Sequence, residues 1–401
     1  MEHLINRTIY LEKLKSFEDT DLIKILTGVR RCGKSTLFIL FQNYLTKEKG
    51  VRQEQIIDIN LEDADYRNLN NWESLHDFIK NKLLQDKKNY IFIDEIQTIP
   101  GFEKAINSLN LNKNVDLYIT GSNANMLSSD IATLISGRYI EIAVLPLSFK
   151  EYMSVMPDKT SLPEKFQNYL DYTSFPGAIQ FEGDRKKTDE YVKGVYNTII
   201  LKDIVARKKI QDISRLENVV NFMFSIIGSQ VSINNIYKTL KSDGREIQTP
   251  TIEGYLTALI ESFILYRVGR FDVKGKQLLK TNDKYYLVDI GFRNIVLGRS
   301  KQDLGHILEN IVYLELLRRG YRVSVGKLGT KEIDFVAQSS DGDTEYYQVS
   351  QTAMDPNTFA REIEPLDKID DHNLKFLLTM DHVNLSHKGI KHVNILNWLL
   401  G

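Results

Sequence analysis

The sequence predicts an α/β protein whose first part is built on a parallel sheet, and three observations carry that prediction. Gly28-Val29-Arg30-Arg31-Cys32-Gly33-Lys34-Ser35 has the spacing G-x-x-x-x-G-K-[ST] of a phosphate-binding loop. The β-prone residues 22–26 precede it and the apolar, helix-like residues 36–41 follow, giving the strand–loop–helix context that the motif requires. Further on, Tyr90-Ile91-Phe92-Ile93 runs unbroken into Asp94-Glu95. An interior parallel strand is buried on both faces, hence the apolar run, and its carboxyl end is where ligands sit.

The other elements follow in order. Residues 12–17 read as a polar helix ahead of the first strand, with Arg7 and Tyr10 in the lead-in before it. These two are read either as contacts to a nucleotide base or as a surface arginine and a packing tyrosine. Residues 55–60 read as a strand, 72–84 as a helix, 102–109 as a helix and 115–120 as a strand closing on Gly121-Ser122-Asn123. Ser122 and Asn123 are candidates to sense a γ-phosphate from that strand end, or else they cap the next helix. Arg138 stands at the end of a helical stretch before the strand 140–142. It is read either as an arginine finger, in cis or from a neighbouring subunit, or as a surface arginine neutralising a helix C-terminus.

The residue types fix the expected chemistry. Gly28 and Gly33 let the backbone turn so that the N–H groups of the loop, from Gly28 through Val29, Arg30, Arg31 and Cys32 to Thr36, converge on phosphate oxygens. Lys34 reaches the β- and γ-phosphates, and the Ser35 hydroxyl and Asp94 hold Mg²⁺. Glu95 is placed to orient and deprotonate the attacking water. The expected ligands are ATP or ADP with Mg²⁺, and the expected catalytic set is Glu95, Lys34 and Arg138. Cys32, the lone cysteine, lies inside the loop, so oxidation there is weighed as an off-switch against a small residue filling space.

Composition narrows the class. At 401 residues the chain holds two or three domains' worth of core. Its net charge of −1 names no partner, and a single cysteine rules out an internal disulfide framework. The start of the chain lacks a signal-peptide layout and no apolar run approaches a membrane span, so a cytoplasmic protein without membrane contact is expected.

After residue 150 the pattern changes. A loop near 157–163 separates helical stretches, and residues 191–209 read as a connector helix with a basic end. Residues 231–240 and 249–260 read as two helices about a turn, with Thr249 as N-cap and Pro250 in the first turn. Two strands, 263–268 and 284–288, flank a basic turn, which completes a winged-helix pattern. Residues 201–300 hold 16 Lys and Arg against 10 Asp and Glu. Arg267, Arg270, Lys274 and Lys276 gather on the wing and are candidates for DNA phosphates. The second helix starts without the Arg, Lys, Asn or Gln that read bases, so a protein-binding wing stands beside the DNA reading.

Together with both nucleotide motifs, Ile119-Thr120-Gly121-Ser122, Ser136-Gly137-Arg138 and Leu145-Pro146-Leu147-Ser148-Phe149-Lys150-Glu151-Tyr152 resemble the prokaryotic AAA-type ATPases that carry a DUF4143 C-terminal region. Phe175-Pro176-Gly177, Leu201-Lys202-Asp203-Ile204, Leu287-Val288-Asp289-Ile290-Gly291-Phe292 and Glu332-Ile333-Asp334-Phe335-Val336 extend the resemblance over nearly the whole chain. It implies an AAA-like domain at 1–155, a helical connector and winged helix at 156–300, and a small α/β restriction-endonuclease-like domain at 301–401. Glu309, Asp334 and position 348 lie where, on that resemblance, the fold places its metal ligands. Here Gln348-Val349-Ser350 replaces the acid and lysine of the third motif, so the nuclease-like part is expected to be degenerate. Three readings follow. The first is an ATPase whose cycle drives the C-terminal half, acting on DNA or a protein, with a homo-oligomer left open. The second is a nucleotide-gated binding switch with negligible turnover. The third is an active Mg²⁺ nuclease using Glu309, Asp334 and Glu345.

Overall fold

The computed structural model describes residues 4–124, 137–156, 160–181, 183–245, 247–299 and 303–401, with backbone alone at 280 and 281. Ser136 and the helix end expected before Arg138 lie outside the described residues. The chain divides into two compact units, residues 1–146 with 261–263, and residues 147–260 with 264–401.

In the first unit, strands β1 (Ile23–Thr27), β2 (Ile56–Asn60), β3 (Asn89–Asp94), β4 (Val115–Gly121) and β5 (Tyr139–Ala143) form one parallel sheet in the order β2-β3-β4-β1-β5. Helix α1 (Thr8–Ser16) precedes β1, and α2 (Lys34–Lys47), α3 (Trp72–Lys80) and α4 (Phe102–Asn110) lie between successive strands from β1 to β4. β1, β3 and β4 are buried throughout, as parallel strands covered on both faces must be. Ile25, Ile91, Ile93, Leu117 and Ile119 join α3 and α4 in one core cluster. An aromatic set serves α2: Phe92 and Tyr118, cross-strand partners, stack at 4.8 Å, and Phe38 and Phe41 meet them at 5.1 and 5.0 Å. Such pairs add about 0.5–1.5 kcal/mol each beyond burial.

The second unit opens with α5 (Phe149–Met153), α6 (Leu162–Asp171) and α7 (Arg185–Thr198). The connector helix expected to 209 leaves α-geometry at Ile199 and continues as a π-helix over Ile199–Ala206. After it come α8 (Ile213–Ser225), α9 (Ile233–Ser242) and α10 (Thr249–Glu261), then β6 (Leu265–Asp272), β7 (Gln277–Leu287), α11 (Ile290–Leu297) and α12 (Leu304–Arg318). The chain ends with β8 (Arg322–Leu328), β9 (Lys331–Gln338), β10 (Thr344–Val349), α13 (Pro356–Asp367), β11 (Leu374–Thr379), β12 (Ile390–Asn394) and α14 (Ile395–Leu400). Seven strands form a mixed sheet in the order β12-β11-β10-β9-β8-β6-β7.

That order differs from the expected boundary at 300. The hairpin β6–β7 forms as anticipated, but β6 also pairs in parallel with β8 through Arg270, Phe271 and Asp272, so one sheet spans the boundary. The reason is that the edge of a β-hairpin carries unpaired backbone groups that another strand can use. Two of the later motifs prove to pack together. Asp289, fully enclosed, accepts the Thr173 hydroxyl at 2.8 Å and the Ser174 backbone N–H at 2.6 Å. Phe175 packs on Phe292 at 5.1 Å, and Gly291 sits where a Cβ would lie 2.5 Å from the Tyr172 carbonyl.

Candidate functional site

The phosphate-loop residues lie between the end of β1 and the start of α2, at the carboxyl edge of the parallel sheet. Gly28 has φ +144°, and a Cβ there would lie 2.1 Å from the Val144 carbonyl oxygen, so no other residue fits without displacing the backbone. Arg31 and Gly33 also take left-handed φ, at +68° and +103°. The N-terminus of α2 has no side-chain cap and no acid in its first turn. Its N–H groups and positive dipole end therefore remain available to an anion. Lys34 is buried, and among the described residues its ammonium donates to neutral carbonyls of its own loop, Gly28 O at 2.9 Å and Val29 O at 3.2 Å.

The acids come from β3. Ser35 Oγ donates to Asp94 Oδ2 at 2.5 Å, bringing together the two oxygen groups expected to hold Mg²⁺. Thr120 of β4 donates to the other Asp94 oxygen. Glu95 takes the left-handed conformation, φ +56°, which ends the strand sharply. A non-glycine residue pays about 1–3 kcal/mol for such a backbone, a cost met by surrounding contacts and concentrated at functional sites. Here the contacts are the Glu95 N–H on Thr120 Oγ1 at 3.0 Å and the Ser122 hydroxyl on Glu95 Oε2 at 3.0 Å. Gln97 Nε2 donates to the same carboxylate oxygen and lies 3.3 Å from Ser122 Oγ. Asn123, like Ser122, is buried at this strand end.

Arg7 is no surface arginine. It is buried and donates to Cys32 O at 3.0 Å and Leu145 O at 2.6 Å, while lying 4.8 Å over the Tyr10 ring. It clamps the loop to the segment after β5, and Tyr10 OH accepts the Leu145 N–H at 3.1 Å. Cys32 is fully enclosed, and burial pushes its thiol up, against the thiolate character that oxidation needs. Arg138 is exposed at the amino end of β5, where its carbonyl accepts the Ile23 N–H at 2.9 Å. The loop leaves β1 at the opposite end, about 15 Å away by strand rise. Within one chain Arg138 does not reach the phosphate loop. Arg30 is taken up by Glu62 at 2.8 Å.

In the second unit, Glu309, Asp334 and Gln348 do converge, on a cavity of about 360 Å³ that His306, Arg361 and Glu362 also line. Two residues that the sequence reading missed complete the cluster. Lys284, from β7, is buried with its ammonium 3.0 Å from Glu309 Oε2, 2.8 Å from Glu332 Oε1 and 3.9 Å from Asp334 Oδ1. Glu362, from α13, accepts Gln348 Nε2 at 2.8 Å. Burial opposes charge on Lys284, but Glu309, Asp334 and Glu332 outweigh it and hold the ammonium above its usual range. Asp334 is pushed up by burial and by Glu309. Among the described residues no three His, Cys, Asp or Glu side chains are arranged to hold a metal ion. The single Lys284 ammonium offsets only part of the charge of Glu309, Glu332 and Asp334. Glu345 faces elsewhere, accepting the Tyr347 hydroxyl at 2.5 Å.

Of the wing candidates, Lys274 and Lys276 are exposed at the hairpin turn. Arg267 is paired with Asp283 at 2.6 Å, and Arg270 sits in the stretch that joins β8.

Comparison with known proteins agrees with this geometry. Residues 20–153 match the AAA domain family, and residues 163–303 match a domain of unknown function, DUF8612; the matches do not show the DUF4143-type region expected over 301–401. An uncharacterized protein of Haemophilus influenzae is 38% identical over 99% of both chains. An uncharacterized protein of Methanocaldococcus jannaschii is 28% identical over 94% of this chain and 86% of its own. Among solved structures, a Walker-type ATPase of Pyrococcus abyssi superimposes with a TM-score of 0.53 at 17% identity, covering 74% of this chain and 97% of its own, a likeness of fold.

Proposed function

We propose that this chain, which belongs to the same family as its Haemophilus influenzae relative and matches the AAA domain over residues 20–153, is a Mg²⁺-dependent ATPase whose nucleotide cycle drives the C-terminal half. The observation that carries this is a single cluster at one sheet edge: a left-handed glycine loop, a lysine bonded to loop carbonyls, a Ser35–Asp94 oxygen pair and Glu95 beside them. Lys34 exchanges its carbonyl partners for the β- and γ-phosphates, and the loop amides with the start of α2 take the remaining phosphate oxygens. Ser35 and Asp94 would hold Mg²⁺, which offsets phosphate charge when bound. Glu95 accepts the proton of the attacking water. Arg138 acts, on this reading, only from a neighbouring chain.

For the second unit we read α9, α10 and the hairpin β6–β7 as a winged-helix-like module sharing its sheet with a nuclease-like fold that no longer cuts. The AAA-like part is one functional unit and the sheet-sharing remainder a second, in a protein placed in the cytoplasm by its single cysteine. Among the described residues no helix is long and apolar enough to cross a membrane. Gln348-Val349-Ser350 in place of the acid and lysine of the nuclease motif supports binding over cleavage, and Lys274 with Lys276 supports a phosphate backbone as the bound partner. Turnover of ATP by wild type and Glu95→Gln, with and without double-stranded DNA, tests both halves. The variant should lose turnover about 10²–10⁴-fold, and DNA should raise the wild-type rate. A wild type that binds ATP and turns over no faster than Glu95→Gln would favour the nucleotide-gated switch. Turnover indifferent to DNA would point to a protein partner.

A further inference from the structure

Gln97 has no place in the phosphate-loop scheme, yet its side chain lies at the centre of the acid cluster. It belongs to the short 3₁₀ turn Ile96–Thr98 that starts from Glu95, and that turn is fixed by the Thr98 N–H and hydroxyl on the Glu95 carbonyl at 3.1 and 3.0 Å. Its Nε2 donates to Glu95 Oε2. Only the NH₂ end of a carboxamide can face a carboxylate oxygen, so the orientation of the amide is set by chemistry. The other end, Oε1, is buried and has no hydrogen-bond partner among the described residues. A buried acceptor without a donor is disfavoured, and native structures rarely leave one without a reason. Amide geometry keeps this oxygen within about 5 Å of the Glu95 carboxylate, the span that one water bridges with two ordinary hydrogen bonds. The hydrogen bonds to Glu95 from Gln97 and Ser122 both fall on Oε2, so Oε1 of the carboxylate is the oxygen left to face that water.

We propose that Gln97 shares the attacking water with Glu95, its carboxamide oxygen accepting one hydrogen bond and fixing the water while Glu95 takes the proton. In the step, the water oxygen forms a bond to the γ-phosphorus and the bond from that phosphorus to the β–γ bridging oxygen breaks. ADP and phosphate leave, and the proton rests on the Glu95 carboxylate. This rests on the ATPase reading of the same site.

The test is steady-state hydrolysis of Mg·ATP by the full chain, wild type against Gln97→Met, with affinities for ADP and for ADP–aluminium fluoride measured alongside. Losing one anchor of the water should lower kcat about 10–100-fold. KM and ADP affinity should stay within about twofold, because no ground-state contact to nucleotide is removed. Affinity for the aluminium fluoride complex should fall in step with kcat. Gln97→Asn, which retracts the oxygen by one methylene and keeps the amide, should show the same pattern and serves if the methionine variant does not fold. A kcat within threefold of wild type would overturn the proposal, as would a loss matched by weaker ADP binding. Wild-type turnover abolished by Glu95→Gln but untouched in both Gln97 variants would sink this proposal and leave the ATPase standing. A wild type without turnover would end both.

Discussion

Two buried lysines, one in each unit, make opposite use of the same charge. Lys34 is held by two neutral carbonyls of its own loop, Lys284 by Glu309, Glu332 and, at longer range, Asp334. A buried ammonium with dipolar partners keeps most of its attraction for an incoming anion. One enclosed by carboxylates has already spent it. The first arrangement is a binding site awaiting phosphate. The second stabilises a fold, and removing one member leaves charge buried without compensation.

The comparison breaks most visibly at Lys284. Lys284→Ala should cost about 3–5 kcal/mol of stability in urea unfolding of the second unit, since three carboxylates lose their cation; unchanged stability would mean that the cluster is open to solvent. Lys34→Ala should do the reverse, weakening ATP binding about 100-fold, the loss of one charge-assisted contact of some 2–3 kcal/mol, with little change in unfolding. A double-mutant cycle of Lys284→Met and Glu309→Gln sharpens the second half. The pair should couple by about 1–3 kcal/mol, the double variant losing less than the sum of the singles.

The smallest effect lies on the surface of the second unit. Hydrogen bonds from Lys331 and then Lys368 hold the Glu364 carboxyl down to about 2 from an ordinary 4.5. A depressed carboxylate contributes stability that is present above pH 4.5 and lost as pH falls through 2. An NMR titration should find Glu364 ionised at pH 3 in wild type and largely protonated there in a Lys331→Met, Lys368→Met variant.

Where the sequence was legible, the signal was local. The runs before Asp94 and after Lys34 carry their own periodicity, and the spacing of Gly28, Gly33, Lys34 and Ser35 needs no distant partner to be read. What escaped was assembled from afar. Lys284 lies 25 residues before Glu309, and Glu362 lies 14 after Gln348, each on a different element. Ser350 suggested a lost lysine; the sheet order that carries Lys284 into the cluster depends on a parallel pairing of β6 with β8 that no local pattern announces. Arg7 was misjudged for a similar reason. Its partners, Cys32 and Leu145, are 25 and 138 residues away, and both are backbone carbonyls, which leave no mark in side-chain sequence. Gln97 stands next to a motif but belongs to none, and only its bond to Glu95 singles it out.

The account turns on which of the two lysines meets nucleotide. Calorimetric titration of Mg·ATP into wild type, Lys34→Ala and Lys284→Met tests it most directly. One site per chain in wild type, weakened about 100-fold in Lys34→Ala and retained in Lys284→Met, is the expected result. Affinity unchanged in Lys34→Ala and lost in Lys284→Met would contradict it, as would a wild type that takes up no ATP.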